Sequence, residues 1–330
     1  MKIISLERLD EIKEKFKGKN IAVVGDLMID CYFWGVVKRI SPEAPVPVVE
    51  VDDEFVRFGG AANVAYNIVT LGGNAFPVGV IGDDNDGVLF KNLMTEAGIS
   101  PDGIIVDNSR PTTAKTRVIA SKQHVVRIDK ESKANISEVV EEKIFEFLKS
   151  KATELDAVIL EDYNKGVLTT KLIQKIISLC EENNIIVTVD PKFLNFFEYK
   201  NVTVFKPNRK ETEDALGMML SSPEALSEAG KVLLERLNAN YVLLTLGEEG
   251  IALFERGKTE KKVPTKARKV SDVSGAGDTV ISTLTMALAA GAEISEAAYL
   301  ANYAGGLVCE EVGIVPIKLD YLFSTVAKEI

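Results

Sequence analysis

The sequence predicts an α/β fold, a mostly parallel sheet between two helical layers with a small antiparallel lid, and three observations predict it. Short apolar runs bounded by turn residues recur along the chain, the pattern of strands buried on both faces. Helical stretches of about 10 to 15 residues separate them, as in successive βαβ units. Two segments, 31–58 and 112–129, instead alternate apolar with polar residues, the first carrying Pro42, Pro45 and Pro47, and read as exposed antiparallel strands beside the main sheet. With 330 residues, 46% of them hydrophobic, and no repeat or low-complexity linker, the chain reads as one domain over 1–330.

In order, "NIAVVGD" (20–26) is a buried strand running into a loop, and "AANVAYNIVTLGG" (61–73) a helix ended by glycines. "AFPVGVIG" (75–82) is a strand, followed by a helix over 83–98 that starts on Asp and stops at Gly98. "LDAVILED" (155–162), "NIIVTVD" (184–190), "VTVFKPN" (202–208) and "ANYVLLTLG" (239–247) are four more strands. The tail from Gly277 to about Cys309 is helical and rich in Ala. A small flat sheet with one apolar face covers a ligand or a partner subunit, unless it is an edge ribbon without function. A homodimer joined through the lid is the expected assembly.

Composition removes several functions. A formal net charge of −10 disfavours nucleic acid and anionic membrane as partners. No apolar run approaches the roughly 18 residues of a membrane span. The first 20 residues are amphipathic and charged, unlike a secretion signal. Cys31, Cys180 and Cys309 lie outside any CxxC spacing and read as reduced thiols of a cytoplasmic protein. The single histidine, His124, lies in a strand-like stretch, so neither a zinc site nor a Ser-His-Asp triad is expected. Acid–base chemistry falls to carboxylates or lysine.

In an open α/β sheet ligands bind at the carboxyl ends of the strands. Those tips carry Asp26, Asp30, Asp162, Asp190, Lys192, Lys206, Asn208, Glu211, Thr245 and Gly247. The stretch "DVSGAGD" (272–278) joins them: Gly275, Ala276 and Gly277 suit a phosphate cradle at a helix start, yet Asp278 puts an anion there. Two readings stand. Asp278 is a general base that takes a proton from an acceptor hydroxyl, with the glycine loop as anion hole, or it is a helix cap. There is no GxxxxGK[ST] loop, and the first strand runs into "GDLMID" rather than GxGxxG, which removes P-loop and dinucleotide readings. The basic run 258–269 is a solvated hairpin or an ATP-steering surface.

"DVSGAGDTV" together with "GGAANVAYNIVTLGG", "KPNRKE" (206–211) and "TLGEEG" (245–250) resembles the signatures of the ribokinase-like (PfkB) sugar kinases over nearly the whole chain. "RISPEAPVPVVEV", "RFGGAANVA", "LEDYNKGVLT" and "DPKFLNFFEYKNVTVFKPNRKE" are similar, within that family, to the D-glycero-β-D-manno-heptose-7-phosphate kinases. The resemblance implies a ribokinase-like fold, ATP and Mg²⁺ as cofactors, and phosphorylation of heptose 7-phosphate at O1 on the route to ADP-heptose and lipopolysaccharide. It implies Asp278 as base with Gly275, Ala276 and Gly277 as anion hole. Lys206, Asn208, Arg209, Lys210, Glu211, Thr245, Gly247, Gly250 and Asn302 fall on its nucleotide side, with Glu211 reaching Mg²⁺ through water. Asp30, Gly59, Gly60 and Asn63 fall on its sugar side. For the distal phosphate, Lys165 and Lys192 lead the candidates, ahead of Lys115, Arg117 and Arg127. Relatives often carry a fused nucleotidyltransferase with an HxGH motif, which one histidine cannot form, so a stand-alone kinase is expected. Other sugars (ribose, fructose, fructose 6-phosphate) and a non-catalytic sugar-binding homologue are the alternatives.

Overall fold

The computed structural model describes residues 4–121, 123–264, 273–311 and 313–330. In chain order these form α1 (Leu6–Phe16), β1 (Asn20–Gly25), β2 (Leu27–Ile40), β3 (Pro47–Gly60), α2 (Ala61–Thr70), β4 (Asn74–Ile81), α3 (Asn85–Glu96) and β5 (Ile104–Val106). Next come β6 (Thr113–Ala120), β7 (Gln123–Lys130), α4 (Glu138–Lys151), β8 (Ala157–Glu161), α5 (Thr170–Glu182), β9 (Ile186–Asp190) and β10 (Val204–Phe205). The chain continues through α6 (Arg209–Leu216), α7 (Pro223–Leu237), β11 (Tyr241–Thr245), β12 (Ile251–Glu255) and β13 (Lys261–Val263). It closes with α8 (Ala276–Ala289), α9 (Ile294–Val308) and α10 (Leu319–Ala327).

Among the described residues, nine strands make the main sheet in the order β13-β12-β11-β10-β9-β8-β1-β4-β5. The pairs from β11 through β5 are parallel, and β12 and β13 add an antiparallel edge. Alternation along β1 sorts its side chains into two cores. Ile21 and Val23 pack with α1, α2, α8 and α9, whereas Ala22 and Val24 pack with α4, α5 and α7. Burial on both faces explains why these strands read as unbroken apolar runs. The expected 202–208 strand shrinks to two residues because Pro207 has no N–H to continue a ladder and Asn208 starts a helix. The helical tail breaks into α8 and α9 at Gly291, whose φ is +82°.

The lid is a second sheet, ordered β3-β2-β6-β7. It consists of two antiparallel hairpins joined through a parallel β2–β6 pair; the first, 27–60, is wider than the expected 31–58, and the second, 113–130, lies one residue on from the expected 112–129. Its register sorts the two faces. Asp30 lies opposite Lys115 and Tyr32 opposite Arg117, which faces Arg127; on the other face Phe33 lies opposite Val118, which faces Val126. So the Asp30 face carries Lys115, Arg117 and Arg127 beside the Tyr32–Phe55 stack, and the other face is mainly apolar around Phe33 and Val118 but includes Glu54, with Val126 and Ile128 exposed. His124 sits exposed on β7, as expected. In the basic run, 258–264 belongs to the β12–β13 hairpin region, while 265–269, like Asp272, lies outside the described residues.

Candidate active site

The rim where β1, β8, β9 and β10 end faces the start of α8. Gly275 holds the N-cap position at φ +78° and, lacking a side chain, caps none of the first-turn amides, which suits a helix start that receives an anion. Asp278, 5% exposed, does not cap the helix. Its Oδ2 accepts from Asn63 Nδ2 at 2.7 Å and its Oδ1 from the Tyr163 hydroxyl at 3.0 Å. Burial pushes this carboxyl up to about 6; the Asn63 and Tyr163 hydrogen bonds and Lys206 hold it down, while Asp190 adds to the rise. Asp278 makes no capping bond, but as the acidic residue of the first turn it still stands at the positive end of the helix dipole. What stands beside the cradle is an oriented carboxylate whose proton affinity suits work near neutral pH.

On one side of Asp278 opens a cleft of about 840 Å³, lined by Tyr163, Lys192, Lys206, Asn208, Thr245, Gly247, Gly250, Gly275–Gly277 and Asn302. Lys206, 3% exposed, sets its ammonium 2.7 Å from Asp190 Oδ2. Burial opposes that charge, but Asp190 and Glu161 outweigh it and raise the lysine above its ordinary value. A Cβ on Gly277 would lie 3.6 Å from Asp190 Oδ2 and 3.8 Å from Lys206 Nζ, so the pair sits directly against the cradle. Lys192 bonds Glu211 and lies 3.6 Å from Asp190.

The KPNRKE segment builds a capping box at the start of α6. Asn208 Oδ1 accepts from the Glu211 amide and Glu211 Oε2 from the Asn208 amide, each at 2.8 Å. Thr245 pairs with Asn208 and donates its amide to Pro207 O at 3.0 Å, tying the TLGEEG turn to this box. Gly247 and Gly250, at φ +64° and +88°, form the turn itself. Arg209 pairs with Glu249, Lys210 lies at the mouth with its ammonium 3.1 Å from Asp214, and Asn302 donates to Pro264 O at 2.8 Å.

On the other side of Asp278, Asp30 (3% exposed) pairs with Arg117 across the lid. Gly59 leaves no room for a Cβ beside Asp30 Oδ2, Gly60 turns the chain at φ +55° against Asp26 O, and Asn63 follows in α2. These four expected sugar contacts thus come together. The five candidate cations are less uniform. Arg117 pairs with Asp30, Arg127 with Asp129 at 2.7 Å, Lys165 with Glu131 at 2.7 Å and Lys192 with Glu211. Half-buried Lys115 has no carboxylate partner among the described residues; its ammonium lies 5.2 Å from the centre of the Tyr163 ring, and burial lowers its pKa.

Three features escaped sequence reasoning. Asp26, expected as a ligand at a strand tip, is instead buried and accepts the amides of Tyr163, Lys165 and Val167 at 2.7, 3.1 and 3.3 Å. Burial and neighbouring Asp162 push it up to about 6 against those bonds. Glu161, at the end of β8, is fully buried with neither carboxyl oxygen hydrogen-bonded among the described residues. Burial, then Asp190 and Asp278, raise its pKa well above the ordinary carboxylate value. Tyr163 touches the candidate base; the one available signal was its place in a loop just past a strand tip.

Among the described residues, no three His, Cys, Asp or Glu side chains gather into a metal cage. With Glu211 shared between Lys192 and the Asn208 amide, this donor set fits Mg²⁺ carried mainly by phosphate oxygens and water. No described helix is long and apolar enough to cross a membrane.

Residues 18–318 match the profile of the pfkB family carbohydrate kinases. The bifunctional protein HldE of Desulfatibacillum aliphaticivorans is 44% identical over 302 residues, covering 92% of this chain and 62% of that protein. HldE of Syntrophotalea carbinolica is 40% identical over 319 residues, covering 97% of this chain and 65% of its own. The chain thus spans less than two thirds of these relatives. In fold it is similar to Arabidopsis thaliana ribokinase complexed with ribose and ATP, with a TM-score of 0.74 at 20% identity over 93% of this chain and 98% of that one. Escherichia coli phosphofructokinase-2 in complex with fructose-6-phosphate gives 0.74 at 18% identity over 95% and 99%.

Proposed function

The chain belongs to the pfkB family of carbohydrate kinases, and from that premise we propose that it phosphorylates D-glycero-β-D-manno-heptose 7-phosphate at O1 with ATP, a step toward ADP-heptose and lipopolysaccharide core. The observation that carries this reading is Asp278: a buried carboxylate held by two donors, beside a glycine cradle on one side and sugar-type contacts on the other. Asp278 takes the proton of the O1 hydroxyl as that oxygen attacks the γ-phosphorus. The bond from phosphorus to the β–γ bridging oxygen breaks and ADP leaves. The amides at the start of α8 and the Lys206 ammonium steady the charge on the moving phosphoryl group. Bound with ATP, Mg²⁺ neutralises the β- and γ-phosphates, and Glu211 would hold it through water. Asp30, Gly59, Gly60 and Asn63 bind sugar hydroxyls, and Lys115, which makes no direct ion pair among the described residues, leads the cations for the distal phosphate.

The test is ATP consumption with Mg²⁺ against heptose 7-phosphate, ribose, fructose and fructose 6-phosphate. Turnover confined to the heptose phosphate is expected; turnover on a plain sugar alone would sink the substrate assignment. Asp278→Asn should keep ligand binding yet lose at least about 10² in turnover. Two copies meeting through the exposed apolar lid face would make the expected dimer, and a monomer by sedimentation at micromolar concentration would refute it.

A further inference from the structure

Tyr163 follows β8 by two residues, and its backbone amide is fixed on Asp26 Oδ2 at 2.7 Å. Its hydroxyl donates to Asp278 Oδ1 at 3.0 Å. Two ammonium groups lie over its ring: Lys115, from lid strand β6, at 5.2 Å from the centroid, and Lys192 at 5.3 Å. One side chain thus touches the candidate base, the lid, and the lysine bonded to Glu211.

We propose that Tyr163 is a positioning residue that keeps the Asp278 carboxylate ionised and aimed, and links that state to the lid through Lys115; the inference rests on reading Asp278 as the base. Each element packed against Asp278 contributes to the balance. Burial presses first toward a protonated Asp278, and Asp190 at the end of β9 adds to it; Glu161 at the end of β8 is itself pushed up by Asp278. Against this stand the Lys206 ammonium after β10 and two hydrogen-bond donors, Asn63 from α2 and the Tyr163 hydroxyl. A donor to the charged form favours that form, and a bond to a charge is stronger than a neutral one. The phenol stays a donor across the working range, because burial and then Asp278, Glu161 and Asp190 hold its own pKa far above ordinary. Ammonium groups over the ring are attracted to its negative face and polarise the O–H outward. When the lid moves, Lys115 moves with it, and the grip on the base changes.

Tyr163→Phe keeps the ring with both cation contacts and removes only the hydroxyl. In protein labelled with ¹³C at the aspartate carboxyls, the Asp278 signal is identified by its loss in Asp278→Asn. That signal should titrate about one pH unit higher in Tyr163→Phe than in wild type. With an active acceptor, the acid limb of kcat should move up equally, so the variant loses more at pH 6 than at pH 8. Tyr163→Leu should show the same titration shift and, without the ring under Lys115, a higher acceptor KM. An unmoved Asp278 titration, or a loss of kcat uniform across pH, overturns the proposal. Absence of turnover by wild type on every acceptor would instead sink the sugar-kinase assignment, and the titration still decides the hold of Tyr163 on Asp278.

Discussion

Replacing Gly59 with alanine should weaken acceptor binding and leave the nucleotide side intact. The backbone there lies outside the left-handed region, so alanine meets no conformational penalty; the conflict is spatial. The added Cβ would overlap Asp30 Oδ2 and lie 2.9 Å from Met28 Cγ and 3.3 Å from Asp30 Cγ. Met28 is flexible and can give way, whereas Asp30 is buried and tied to Arg117. Relief requires the carboxylate to swing by roughly 1 Å, and overpacking on this scale costs about 1–3 kcal/mol. At about 1.4 kcal/mol per tenfold, that predicts an acceptor KM raised about 5- to 140-fold. The KM for ATP should stay within about twofold, since the nucleotide cleft lies beyond Asp278. Initial rates with either substrate varied at saturating partner measure both constants, and a thermal melt checks the fold. An acceptor KM equal to that of wild type would remove Asp30 from the sugar site.

The remaining predictions concern charge. Because Asp278 must be ionised to act and its carboxyl is pushed up to about 6, turnover should rise with pH through that value; a flat profile between about pH 5 and 7 would refute the assignment. A folded-state pKa above the ordinary 3.8 contributes stability that is full below about pH 4 and lost as pH rises through about 6, roughly 3 kcal/mol by pH 8. Calorimetry should therefore find the melting temperature of Asp278→Asn, relative to wild type, higher at pH 8 than at pH 5. Lys206→Met leaves buried Asp190 with only Lys192 at 3.6 Å, and urea unfolding should register a loss of about 3–5 kcal/mol. A loss under about 1 kcal/mol would show that Lys192 alone neutralises Asp190.

The elements that local patterning encodes were legible. β1, β4, β8, β9, β10 and β11 follow from apolar runs, α2 and α3 from their glycine stops, the lid strands from alternation, and the loop before α8 from its small residues, whereas the three-residue β5 was too short to read. Residues whose meaning depends on distant partners were not. Asp26 reads like any strand-tip carboxylate until the amides of 163–167 fold onto it. Tyr163 meets Asp278 across 115 residues of sequence, and no local pattern records that distance. The five candidate cations were indistinguishable in sequence, because a lysine does not reveal whether a carboxylate will face it. The parallel β2–β6 pair was equally hidden, since it depends on where the main sheet releases its two hairpins.

That seam bears on how the molecule assembles. Each lid hairpin is local and can form early, but β2 and β6 join residues about 85 apart in sequence, as in Met28 with Thr113. Such a closure has an entropic cost that only prior docking of β1, β4 and β5 can reduce. The half of the molecule from β8 to β11 needs no such closure, because its strands pair with neighbours much closer in sequence. The cradle at the start of α8 needs longer closures still, since Asp278 reaches Asn63 across 215 residues and Thr285 reaches Thr188 across 97, so contact separation favours the β8–β11 strands forming before both the lid seam and the cradle.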